Sequence, residues 1–230
     1  MRVIASVPFG RVLRDLADEH PYAPGDEANS NDEAEEHLHS ADAALGHWHR
    51  VLLDRRDVLG IVLPWHLGEG GAVELVPPTG MTVAAAAVRL RALGAEYASG
   101  NPLCAHKLDR QSAAPPRPLY LSSRPVPGAD YERMTAGEGL IHLDGLHRVL
   151  SWERAGRLPE VPLIEAFVAA DAAWAPALDA GARPPSAAPD VRHGAGHHRH
   201  GLDVDPDRKI SHGAHHVDDM PDVHGGLHAQ

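Results

Sequence analysis

The residues best placed to do chemistry form one run, Asp144-Gly145-Leu146-His147-Arg148. An apolar stretch at 140–143 stops at Asp144-Gly145, and a helix with Leu146, Val149 and Leu150 on one face begins directly after it. A strand that turns into a helix leaves backbone N–H groups unpaired, and those groups favour an anion. Gly145 lets a phosphate approach the backbone of Gly145 and Leu146 closely. Arg148 can grip phosphate oxygens with two parallel hydrogen bonds. His147 can donate to the phosphate or move a proton. Asp144 can hold a metal, accept a hydroxyl proton or orient its neighbours. Gly145, Leu146, His147 and Arg148 are therefore the expected phosphate ligands, and Asp144 and His147 the expected catalytic pair.

Other candidates surround this run. Ser122, Ser123 and Arg124 follow a strand at 118–122 and can contact substrate or phosphate. Glu138 and His142 flank the strand at 140–143. His142 and Asp144 are two apart, so a regular strand puts them on one face. His47 and His49, with Asp54 and His66, form a metal alternative, because i and i+2 share a side of a strand. His37 and His39 lie on a helix, where that spacing diverges. Cys104 reads as a buried structural thiol. No metal set is expected in the folded part. The run 171–230 carries nine histidines, and His197, His198, His200, His215 and His216 there can capture zinc, nickel or copper adventitiously.

The elements that must position these groups follow from periodicity and punctuation. A strand is expected at 2–7, then helices at 9–20 and 30–46, the second started by Ser30 and Glu33 at capping-box spacing. Strands follow at 49–53, 60–65 and 72–76. Thr82 caps a helix over 83–98, and a shorter helix lies near 101–110. The closing block reads strand 118–122, loop 124–138, strand 140–143, helix 146–156, strand 162–168. This order points to an α+β or α/β domain. The expected divisions are a helical extension at 1–46, a domain at 47–170 and a disordered His/Asp-rich tail at 171–230. The tail's apolar residues are isolated and cannot offset the entropy of ordering.

The pattern strand, Asp-Gly-x-His-Arg turn, helix, Val161-Pro162, strand resembles the ParB/sulfiredoxin superfamily, over 118–168 and more loosely from about 50. The resemblance implies an α+β fold with a mixed sheet and a site for nucleotide phosphates at the turn and helix start. Sulfiredoxins carry a cysteine where this chain has Leu146, which argues against sulfinic-acid reduction. ParB proteins carry a Gly-Glu-Arg-Arg type box and a DNA-binding domain downstream, and neither is present. The turn is most similar to that of free-serine kinases, and this resemblance implies a separate glutamate base, for which Glu69, Glu74 and Glu138 are candidates without a local signature. It therefore implies an enzyme that uses ATP or another nucleotide with Mg²⁺ to transfer phosphate to a small hydroxyl compound. A non-catalytic nucleotide switch and a metal-binding protein are the alternatives. The whole chain is also similar to an uncharacterised family from high-GC bacteria.

Composition sets the outer bounds. The chain of 230 residues has 21 basic and 32 acidic side chains, a formal charge of −11, which disfavours a broad nucleic-acid face. No run approaches the 18 apolar residues of a membrane span. A single cysteine and no secretory pattern at the N-terminus make the cytoplasm the expected compartment. A small molecule is the expected partner, with neither nucleic acid nor membrane.

Overall fold

The computed structural model describes residues 1–19, 32–68, 71–135 and 139–174, all within one compact unit, Met1–Pro184. Its elements are β1 (Arg2–Val7), α1 (Phe9–Glu19), α2 (Asp32–Leu45), β2 (His47–Leu53), α3 (Arg55–Leu59), β3 (Val62–Leu63), β4 (Met81–Thr82), α4 (Val83–Leu93), α5 (Ala95–Gly100), α6 (Pro102–Ala113), β5 (Leu119–Ser122), β6 (Ile141–Asp144), α7 (Leu146–Arg154) and β7 (Ile164–Ala170). The fold is α+β. The strands form a seven-stranded mixed sheet in the order β1-β2-β7-β5-β6-β3-β4. The β5–β7 and β3–β6 pairs are parallel and the others antiparallel.

Side-chain alternation divides the core into two layers, one on each face of the sheet. On one face Val51, Leu63, Leu121 and Val168 pack with Val83, Cys104, Leu146, Val149 and Trp152 from α4, α6 and α7. On the other, Trp48, Tyr120, Leu143 and Phe167 pack with Val12 and Leu16 of α1 and Leu38 and Ala41 of α2. Residues 1–19 and 32–45 thus belong to the same sheet and core as the rest: β1 pairs with β2, and α1 and α2 cover one face.

Several elements depart from the sequence reading for local reasons. Gly94, at φ +50°, breaks the expected helix 83–98 into α4 and α5. Thr82 does cap α4, its Oγ1 accepting from Ala85 N at 3.2 Å. The expected strand 60–65 shrinks to β3, and 72–76 contributes only a bridge between His66 and Val76. Asn101 explains the second difference. Its side chain accepts from Val73 N and donates to the carbonyls of Leu67 and Val73, so these backbone groups bond to a side chain in place of a strand. The Ser30 cap and the tail histidines lie outside the described residues, as do Glu69 and Glu138.

Candidate functional site

The turn after β6 has the expected shape. Gly145 is left-handed at φ +109°, and a Cβ there would stand 2.7 Å from Leu119 Cδ2, so only glycine fits. No side chain caps the start of α7. Arg148, however, points inward and is 3% exposed. Its Nη2 is ion-paired with Asp144, and its Nη1 donates to the Pro118 carbonyl at 2.7 Å and lies 3.4 Å from Glu19 Oε2. Arg117 in turn donates to the Glu19 carbonyl. The guanidinium is therefore engaged by two carboxylates and a carbonyl that tie α1, β5, β6 and α7 together. Burial raises the Glu19 carboxyl to about 7, against the opposing pull of Arg148.

His142 and Asp144 do not share the regular alternation expected of them. The β5–β6 register slips by one residue, so that Tyr120 faces Asp144 while Leu121 faces His142. Tyr120 and Leu121 belong to opposite core layers, and a bulge at Leu143 thus directs Asp144 towards Arg148 and Glu19. His142, 8% exposed, stays with the layer that holds α6 and α7. Neither of its ring nitrogens has a hydrogen-bond partner, and burial pushes it down to about 3.

Ser122, Ser123 and Arg124 are engaged locally. The Ser122 hydroxyl donates to the Arg124 carbonyl at 2.8 Å, Ser123 N bonds to Ala169 O, and Arg124 reaches the Ala44 carbonyl. Glu74 accepts from Trp65 Nε1. Asp54, one member of the His47/His49 alternative, caps α3 in a capping box with Asp57. His66, its fourth member, lies with a different group.

That group had no sequence signature. His66 follows β3, Cys104 lies in the first turn of α6, and His147 in the first turn of α7. One donor atom from each lies within 4.8 Å of the other two. Cys104 Sγ is 3.7 Å from His66 Nε2, and the two imidazoles meet edge to face at 5.5 Å. Cys104 is 1% exposed. His147 Nε2 is buried without a hydrogen-bond partner. Burial first, and then charge on His66 and Lys107, push His147 down to about 3, so its imidazole is neutral at physiological pH.

Local structure holds these donors together. His66 is fixed by backbone bonds to Val76 and Leu75. Asn101 clamps both ends of the segment after it, and Gly68 lets that segment lie on α6, since a Cβ there would be 2.9 Å from Cys104 Sγ. A second cluster, Glu33, His37 and Asp130, lies on the α2 face with Glu33 exposed, and His37 Nδ1 is 3.3 Å from the Leu143 carbonyl.

Fold and site together define an α+β protein with a sequestered thiol–imidazole cluster beside a strand-to-helix turn. The chain belongs to the family of unknown function DUF6309, whose model matches residues 1–188. No curated protein and no solved structure matches it significantly.

Proposed function

We propose that this protein binds one divalent transition-metal ion, zinc foremost, at His66, Cys104 and His147. The convergence of these three donors from three elements carries the reading. Zinc bonds at about 2.3 Å to sulfur and 2.0–2.1 Å to nitrogen place tetrahedral donors roughly 3.3–3.8 Å apart. The Cys104–His66 separation of 3.7 Å already meets that spacing. The remaining gaps, up to 4.8 Å, close with side-chain shifts of about 1 Å. A thiolate and neutral imidazoles select zinc, copper or nickel over magnesium or calcium.

The test is zinc competition against a chromophoric chelator on the full chain, comparing wild type with Cys104→Ser and His66→Ala. One tight equivalent present in wild type and lost in both variants supports the reading. Equal binding by all three proteins assigns the metal to the tail histidines and overturns it.

A second reading keeps a nucleotide phosphate at Gly145–Arg148, with phosphotransfer to a small hydroxyl compound. The uncapped start of α7 favours it. It requires Arg148 to leave Asp144 and Glu19, and Mg²⁺ would have to compete with Arg148 for Asp144. Calorimetry with ATP, ADP and CTP in Mg²⁺ tests it: micromolar binding supports the reading, and no heat from the folded protein sinks it.

A further inference from the structure

We propose that Glu33, His37 and Asp130 hold a second divalent ion, of the manganese type, on the other face of the sheet from the thiol cluster. The site does not depend on the zinc reading above. One donor atom from each of the three residues lies within 4.8 Å of the other two. Glu33 and His37 are four apart on α2, the spacing that brings two side chains together on a helix surface. Asp130 comes from the loop between β5 and β6. Leu38 and Tyr131, the chain neighbours of two of these ligands, pack in the layer of α1 and α2, whereas Cys104 packs in the opposite one.

The ligands are held from outside the cluster. Leu38 and Ala41 bury α2. Tyr131, 3% exposed, anchors the loop: its hydroxyl donates to the His142 carbonyl at 3.1 Å, and the His37 ring packs edge-on against its ring at 5.2 Å. The Asp130 carbonyl accepts from Trp65 N at 3.4 Å.

The hydrogen bonding of His37 points to an ion. Its Nδ1 lies 3.3 Å from the Leu143 carbonyl, which can only accept, so Nδ1 carries the proton. In the neutral ring Nε2 then offers a lone pair, and it faces Asp130 Oδ2 at 3.9 Å. That gap is too long for a hydrogen bond, so a proton on Nε2 would not bridge the pair. Two carboxylates and an imidazole lone pair are three acceptors with no donor among them, and a cation between them relieves their repulsion. Metal–ligand bonds of about 2.0–2.2 Å put two donors on one ion roughly 3–4 Å apart. The His37–Asp130 gap meets that spacing. A backbone carbonyl that takes the other imidazole proton also fixes the tautomer and ring orientation that ligation needs.

The donor set selects the metal. Carboxylates suit magnesium, calcium and manganese, an imidazole suits transition metals, and manganese satisfies both. Three protein ligands leave about half of an octahedral shell to water, beside a Glu33 that is exposed to solvent. A small anion with oxygen donors can replace that water and be polarised by the ion.

The test is Mn²⁺ titration of the metal-free full chain. It is read by loss of the free ion's electron paramagnetic resonance signal and by the spin-echo modulation of a bound imidazole nitrogen. Wild type should take up one equivalent and show the modulation. Glu33→Gln and Asp130→Asn should each bind at least about tenfold more weakly, and His37→Ala should also lose the modulation. Glu33 is exposed, so Glu33→Gln should melt as wild type does without metal, which keeps the test decisive should His37→Ala not fold. Cys104→Ser should bind Mn²⁺ like wild type, which separates this site from the zinc site. No uptake by wild type, or equal uptake by Glu33→Gln and Asp130→Asn, overturns the proposal. So does loss of Mn²⁺ in Cys104→Ser, which would assign the ion to the thiol cluster.

Discussion

Replacing Arg148 by Met separates a guanidinium that binds ligand from one that holds the fold. The side chain is 3% exposed, paired with Asp144 and Glu19, and bonded to the Pro118 carbonyl. Removing one partner of a buried ion pair costs about 3–5 kcal/mol, because the remaining charges lose their compensation. Asp144 is a quarter exposed and Glu19 less so, and water recovers part of that cost. The lower end, about 3 kcal/mol, is the expected loss. For a domain of this size each kcal/mol moves Tm by about 2–4 °C, so Arg148→Met should melt about 6–12 °C below wild type. The assay is urea and thermal unfolding of the full chain followed by circular dichroism. The double variant Arg148→Met/Glu19→Gln should recover part of the loss, because it removes a carboxylate that the first change strands. A loss below about 0.5 kcal/mol, the usual effect of a surface substitution, would refute the buried network. It would also return Arg148 to the pool of residues free to grip a phosphate.

The buried histidines make the metal-free protein acid-sensitive. His142 and His147 titrate near 3 when folded against an ordinary 6.5, so stability is full above 6.5 and falls as pH drops from there towards 3. His142→Leu should flatten that fall by up to about 1.4 kcal/mol per pH unit in urea melts between pH 6 and 4; an unchanged slope would count against its burial as the neutral form. Glu19 works in the opposite direction. Its folded value of about 7 lies above 4.5, so stability falls as pH rises from about 4.5 through 7. Glu19→Gln should therefore gain relative to wild type at pH 8 compared with pH 5, by on the order of 1 kcal/mol after solvent screening, and equal differences at both pH values would contradict this. Asn101→Ala removes three hydrogen bonds and should cost about 3 kcal/mol in unfolding experiments. It should also weaken zinc binding, because His66 loses its clamp.

Local order was legible in the closing block because its signals are short-range. The strand–turn–helix–strand sequence from 118 to 170, the left-handed Gly145 and the Thr82 cap all follow from residues within a few positions of one another. The candidate site was hidden for the opposite reason. Cys104 lies 38 residues from His66, and no spacing rule links either to His147. The direction of Arg148 was equally invisible, since Glu19 is 129 residues away. The shared face expected for His142 and Asp144 failed on one inserted residue, Leu143, which period-two reasoning does not anticipate. The strand at 2–7 was legible, but 1–46 read as a separate helical extension, because the pairing of β1 with β2 depends on a register that composition does not reveal.

The order of strands in the sheet has a kinetic consequence. The last strand made, β7, occupies an interior position: it pairs with β2, which begins at His47, and with β5. Until Ile164–Ala170 is available, β2 and β5 each present an unpaired edge, and the two sides of the sheet have no hydrogen-bonded connection. Closing that gap joins segments more than a hundred residues apart, a loop closure whose entropic cost precedes its reward. Refolding should accordingly be limited by the arrival of one central strand. A chain that stops short of residue 164 should expose two sticky edges and aggregate instead of forming a smaller version of the domain.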